Sequence, residues 1–181
     1  MRTASCWAGS SPRLAFGITA LDRFVSHFTN RLDSKGRVSI PASFRSVLAR
    51  DGHEGLHVHP SLDAPALDCG GHALLREIDA LIDTLSPHSD ERDLFSTALL
   101  GTSEILKVDA EGRVILTDSV KAYAGISDEV TFVGLGHKFQ IWEPSRFRVY
   151  LDEAKARVRD LRKQLSTHSA ALAPQPRGVR E

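Results

Sequence analysis

Asp33-Ser34-Lys35-Gly36-Arg37-Val38-Ser39-Ile40-Pro41-Ala42-Ser43-Phe44 lines up with Asp109-Ala110-Glu111-Gly112-Arg113-Val114-Ile115-Leu116-Thr117-Asp118-Ser119-Val120. Asp, Gly, Arg, Val and Ser recur at identical places, and apolar residues answer apolar residues. The flanks agree as well. A short strand pattern precedes each copy, at 30–32 and 104–108. A short helix follows each. The first is expected to begin at Pro41, a favoured first helical residue, and to end before Asp51-Gly52. The second is expected to be capped by Thr117 and to stop at Gly125. Strand patterns then return at 56–59, 129–133 and 138–142, the last two joined by Gly134-Leu135-Gly136-His137. A unit of strand, turn, strand, helix and strand is too small to bury its own apolar face. Two copies about a pseudo-twofold axis can share one core.

Between the copies, Leu74, Leu75, Ile78, Leu81, Ile82 and Leu85 recur at helical spacing. Pro87 interrupts them. A second helix is expected from Ser89 to Gly101, with Leu94, Phe95, Ala98 and Leu99 facing inward. After the second copy, Pro144 opens a longer helix whose apolar positions are Phe147, Leu151, Ala154, Val158, Leu161 and Leu165. Their alternating steps of four and three form a seam that needs a packing partner. The chain thus divides into a disordered extension at 1–20, a first repeat at 21–68 and a helical insert at 69–103. A second repeat at 104–143, a terminal helix at 144–165 and a disordered tail at 166–181 complete it.

The formal net charge is zero, but the charges are segregated. Residues 21–50 hold six Lys/Arg against two Asp/Glu, and 51–103 hold two against ten. Residues 144–165 return to seven against three. A basic patch can meet an anion in a neutral protein, because fields act within about 10 Å in salt. No stretch approaches the roughly 20 apolar residues that cross a bilayer. Two cysteines, Cys6 and Cys69, make no disulfide framework, and a reducing cytoplasm is the expected setting.

Asn30-Arg31-Leu32-Asp33-Ser34-Lys35-Gly36-Arg37-Val38-Ser39-Ile40-Pro41-Ala42-Ser43-Phe44-Arg45 resembles the first signature of the MraZ family, among the SpoVT/AbrB-like regulators. Residues 109–120 resemble the second. Gly125, Val130-Thr131-Phe132-Val133-Gly134 and Ile141-Trp142 also fit. The resemblance covers about residues 21–165. It implies an α+β fold of two pseudo-symmetric swapped-hairpin β-barrel repeats, with the helical insert and C-terminal helix attached. It also implies a ring-like homo-oligomer on double-stranded DNA, at short direct repeats upstream of a division and cell-wall gene cluster that includes its own gene. One departure stands out: family members start a few residues before the first Asp motif, and here some twenty residues precede Leu21.

The chemistry of the repeat points the same way. Gly36 and Gly112 can take positive φ and turn the chain tightly. The Arg that follows then stands at the loop rim, where a guanidinium can clamp phosphate or fork onto guanine O6 and N7. Asp33 and Asp109 read as structural loop residues that accept turn amides or steady their Arg. The candidate DNA-binding residues are Arg31, Lys35, Gly36, Arg37, Arg45, Gly112 and Arg113. Arg37 is favoured because Arg31, Lys35 and Arg45 are near it in sequence. Arg113 stands evenly between contact and staple, since Glu111 replaces the Lys. By sequence, Arg31 and Arg45 flank the first loop, and Lys107 and Lys121 flank the second.

Other chemistries fit less well. An acid-hydrolase dyad favours Asp-Ser/Thr-Gly, and both runs here are one residue too long. His53, His57 and His59, with Cys69 and His72 downstream, lack the paired cysteines of a zinc site and read as polar residues on an exposed strand edge. Gly134-Leu135-Gly136-His137-Lys138 lacks Walker spacing and reads as a hairpin turn. Trp142 reads as core or interface packing. The basic residues along 146–163 read first as a solvated face. No catalytic residue, metal or cofactor is assigned. The expected protein is a cytoplasmic, nucleoid-associated, non-enzymatic DNA-binding repressor. The alternative is a fused-repeat barrel that binds a protein partner in the manner of an antitoxin.

Overall fold

The computed structural model describes residues 23–52 and 55–171. The first half runs β1 (His27–Arg31), β2 (Arg37–Ser39), α1 (Ala42–Asp51), β3 (Gly55–Pro60) and β4 (Leu67–Gly70). The insert follows as α2 (His72–Asp83) and α3 (Asp90–Ser96), which runs into a π-helical turn, Thr97–Gly101. The second half repeats the first as β5 (Glu104–Lys107), β6 (Arg113–Ile115), α4 (Asp118–Ala124), β7 (Glu129–Gly134) and β8 (Phe139–Trp142). Helix α5 (Pro144–Ala171) closes the described chain.

The fold is α+β with antiparallel sheets, and its two halves are interleaved. The six-stranded order β1-β7-β8-β4-β3-β5 maps onto its own reverse when the halves are exchanged. Each half contributes a hairpin, β3–β4 or β7–β8, and the hairpins meet where β4 pairs with β8. The first strand of each half crosses over. β1 pairs with β7 of the second half, and β5 pairs with β3 of the first. The short strands β2 and β6 leave the large sheet and pair with each other around Val38↔Val114.

This crossing lets two small units share one core. Val38, Ile40, Phe44 and Leu48 are buried beside their repeat equivalents Val114, Leu116, Val120 and Ala124. Phe132, Phe139 and Ile141 of the second hairpin fill the space between them. Burying each large aliphatic or aromatic side chain contributes about 1.5–3 kcal/mol, and both halves supply such side chains to this one cluster. At the central β4–β8 pairing, Asp68 accepts from Gln140 Nε2 at 2.7 Å and Lys138 Nζ at 2.9 Å. Gln140 Oε1 in turn accepts from Trp142 Nε1 at 2.9 Å. These buried polar groups are paired, which limits the penalty of their burial.

Several local expectations change. Pro41 is the N-cap of α1 rather than its first residue, with φ −52° and ψ 139°. Thr117 caps α4 as expected and accepts from Val120 N–H. The sequence pattern does not predict β4 (Leu67–Gly70), and the expected boundary at 68/69 cuts through it. Its apolar signal is only Leu67 and Cys69, flanked by Pro65 and Gly70-Gly71. Because β4 covers one side of β3, and β5 the other, His57 and His59 lie in an interior strand. They are buried, not on an exposed edge, with ring centroids 5.4 Å apart. His53 lies outside the described residues. In the insert, Leu74, Ile78, Ile82 and Leu99 form a separate small core. Leu94 is 69% exposed and Phe95 is also exposed; at about 100° per residue Leu94 lies well off the face that carries the buried Leu99.

Helix α5 reaches Ala171, beyond the expected stop at 165. Its seam is covered only at the start. Phe147 packs on Trp142 and Ala66, with Leu151 half-buried beside them. Val158, Leu161 and Leu165 stay exposed. Residues 1–20 and the tail beyond 171 lie outside the described residues. Among the described residues no helix is long and apolar enough to cross a membrane.

Candidate nucleic-acid interface

The two Asp-x-x-Gly-Arg segments fold into the same loop, bond for bond. Gly36 has φ +72° and Gly112 φ +76°, a region costly for residues with a Cβ. Each Gly N–H donates to the Asp carbonyl at 2.9 Å, and each Asp N–H donates to the Arg carbonyl at 2.9 Å. Asp33 Oδ1 accepts the backbone N–H groups of Lys35 and Arg37, both at 2.9 Å. Its Oδ2 accepts Arg37 Nε at 2.7 Å. Asp109 does the same for Glu111 N at 3.0 Å, Arg113 N at 2.8 Å and Arg113 Nε at 2.8 Å.

The Asp residues therefore staple the turn and aim the Arg at once. The backbone N–H of Arg37 holds the Asp33 carboxyl below its ordinary range, helped by the Arg37 side chain and the Lys35 amide. The backbone N–H of Arg113 does so for Asp109. Each guanidinium is fixed through Nε, and each Arg side chain is about one-third exposed. The loops differ at the far end of the guanidinium. Among the described residues the Nη groups of Arg37 have no hydrogen bond, whereas Arg113 Nη2 donates to Glu111 Oε2 at 2.9 Å. The Asp109 hydrogen bond, with Glu111 adding, raises the Arg113 pKa above its ordinary value.

Between the loops lies the β2–β6 ribbon, with Ile40 N donating to Gly112 O at 3.0 Å and Leu116 N to Gly36 O at 3.1 Å. Val38 and Val114 point into the core. Strand alternation puts Arg37, Ser39, Arg113 and Ile115 on the other face, paired as Arg37↔Ile115 and Ser39↔Arg113. Ser39 and Ile115 were not singled out from sequence, although period-two alternation on either strand would have found them.

The sequence placed Arg45 beside the first loop, and the structure corrects this. Because β2 and β6 pair across the pseudo-twofold, each helix reaches the other half's loop. Arg45 of α1 donates from Nη1 to the carbonyl of Glu111 at 2.9 Å. Its side chain lies over Gly112, where a Cβ would come within 2.2 Å of it. Lys121, the repeat equivalent of Arg45, does not belong to the second loop either. Its Nζ lies 3.7 Å from where a Cβ on Gly36 would stand, and it pairs with Asp118 at 2.8 Å. Arg31 ends β1, exposed and in register with Glu129, and Lys35 is exposed at the first loop's tip. Linear neighbourhood predicts the wrong loop whenever two halves exchange elements.

This geometry assigns Arg45 first to holding the second loop. Arg45→Ala is expected to weaken DNA binding by about 1 kcal/mol, the scale of one hydrogen bond, while leaving its salt dependence unchanged. Affinity titrations at several salt concentrations check this. A slope reduced by about 0.9, one phosphate contact's worth, would make Arg45 a direct DNA ligand instead.

Comparison with known proteins places this geometry in a family. The family model described as "MraZ protein" matches residues 98–167. The protein named "Transcriptional regulator MraZ" of Beijerinckia indica is 74% identical over 164 residues, covering 89% of this chain and 100% of the relative. The protein of the same name from Methylocella silvestris is 71% identical over 164 residues, with the same coverage. A more distant one, from Parvibaculum lavamentivorans, is 43% identical over 161 residues, covering 88% of this chain and 100% of the relative. With near-complete alignment to proteins so named, and a repeat that folds twice into one Arg-presenting loop, this chain belongs to the MraZ family of transcriptional regulators.

Proposed function

We propose that this regulator binds double-stranded DNA through the β2–β6 ribbon and its two flanking loops. The observation that carries the reading is the duplicated loop, in which Asp fixes Arg at Nε beside an exposed ribbon face. A two-stranded ribbon fits the major groove, and a guanidinium fixed at Nε can still offer its Nη groups to guanine O6 and N7. The candidate set is Arg37 and Arg113 for base edges, with Arg31 and Lys35 for phosphate. Gly36 and Gly112 shape the loops, Asp33 and Asp109 brace them, and Arg45 steadies the second. Phosphate contacts would supply most of the affinity and few base contacts the specificity.

The interleaved halves support reading the fold as two swapped-hairpin barrel repeats of the SpoVT/AbrB type. The exposed seam of Val158, Leu161 and Leu165 supports a homo-oligomer, ring-like by family resemblance, in which weak contacts multiply on short direct repeats. The regulated genes would be a division and cell-wall cluster that includes its own gene, repressed by a non-enzymatic protein in the cytoplasm at the nucleoid. The family description also contains the words antitoxin-like, which keeps a protein-binding module as the rival. A gel shift on DNA from upstream of the chain's own gene, with unrelated competitor DNA, separates the two. The DNA reading expects a salt-sensitive, competitor-resistant complex from a species heavier than a monomer by light scattering. Absence of any complex at low salt would favour the rival.

A further inference from the structure

The outer face of the ribbon is not symmetric. Three of its four residues, Arg37, Ser39 and Arg113, are polar, and the fourth is Ile115. The isoleucine side chain is 56% exposed, directly across the ribbon from Arg37. Its repeat equivalent is Ser39, so the core does not demand an apolar residue there. Single exposed apolar residues are common and need no explanation by themselves. This one stands between two guanidiniums on the face through which the proposed function meets DNA. The core side of the same strand is already served by the buried Val114.

We infer that Ile115 reads the 5-methyl group of a thymine next to the base contacted by Arg37. The thymine methyl is the apolar feature that the major-groove edge of a base pair offers, and apolar side chains contact it. Cross-strand Cβ atoms stand about 4.5–5.5 Å apart, against a base-pair rise of about 3.4 Å. Arg37 and Ile115 are thus spaced to meet bases one to two steps apart. The inference rests on the DNA-binding reading and deepens it. It also gives the complex a direction. A ribbon with identical halves would read both half-sites alike and suit a palindrome. Ser39 opposite Arg113, and Ile115 opposite Arg37, read unlike bases, so the subunit sits on a directional site.

The test uses the full chain and two versions of its upstream DNA, one made with thymidine and one with deoxyuridine throughout. Uracil pairs like thymine and lacks the methyl. The wild type is expected to bind the uracil DNA about fourfold more weakly for each methyl contacted, the scale of one buried carbon. Ile115→Ser, which makes the ribbon symmetric, is expected to bind both DNAs equally and at the weaker level. Equal wild-type affinity for both DNAs overturns the inference. So does an Ile115→Ser variant that keeps the full uracil effect, because the methyl contact then lies elsewhere. A lower oligomeric mass for Ile115→Ser would also overturn it, by assigning Ile115 to a subunit contact. Failure of the wild type to bind either DNA would instead bring down the DNA-binding reading itself, and this inference with it.

Discussion

Phe44→Ala is expected to destabilise the protein by about 3–5 kcal/mol, the range for deleting a fully buried phenyl ring. Phe44 is completely buried on α1. Its ring meets Phe24 at 5.3 Å and Phe28 at 5.6 Å, from the first half. It also meets Phe139 at 5.1 Å and Phe132 at 6.5 Å, both on the second half's hairpin. One side chain of the first repeat therefore anchors strands of the second. The ring packing adds to the area term, since tilted and edge-on pairs are favourable. Val120, the equivalent on α4, removes less volume when cut to Ala and should cost less. Denaturant unfolding of both variants measures the difference. A loss below about 1 kcal/mol for Phe44→Ala would mean that the halves do not depend on a common core.

The second large effect is on DNA affinity, and it is unequal between the loops. Arg37→Ala is expected to weaken specific binding by about 1–3 kcal/mol, the value of a bidentate base contact. Arg113→Ala is expected to cost less. Arg37 spends only Nε on its own loop, whereas Arg113 also spends Nη2 on Glu111. The first loop has Lys35 where the second has Glu111, a reversal of charge two residues from the Arg. The crossed helices moderate the contrast. Arg45 lies on the second loop, and Lys121 near the first is already paired with Asp118. Glu111→Lys should free Arg113, tighten binding and steepen the salt dependence by about one phosphate's worth of counterion release. Titration of the variants on one DNA at two salt concentrations decides the matter. Equal damage from the two Arg→Ala changes would contradict the charge argument.

Much of this was legible in the sequence because the repeat is local. The aligned Asp, Gly and Arg fix turn, strand and helix within a dozen residues. The expected caps Thr117 and Gly125 stand where the sequence puts them, and the hairpin turn lies one residue later than 134–137, because Gly134 is the last residue of β7 and pairs with Phe139. What escaped is what depends on partners distant in the chain. β4 carries little apolar signal of its own and is a strand because β3 and β8 flank it. His57 and His59 look like edge residues until that strand covers them. Arg45 looks like part of the first loop until β2 and β6 pair across the pseudo-twofold. Leu94 and Phe95 look inward by apolar character alone, but the small core of the insert takes only Leu99 from this helical segment.

DNA binding through the two Arg loops is tested by comparing the wild type with the Arg37→Ala/Arg113→Ala double variant. Equilibrium binding to DNA from upstream of the chain's own gene is measured across a range of salt, with folding checked by unfolding midpoint. Wild-type affinity is expected to fall linearly on a log–log salt plot. The double variant is expected to keep its fold and to lose its preference for this DNA over unrelated sequence. A folded double variant that binds the same DNA as tightly and as selectively as the wild type would contradict binding through the two loops.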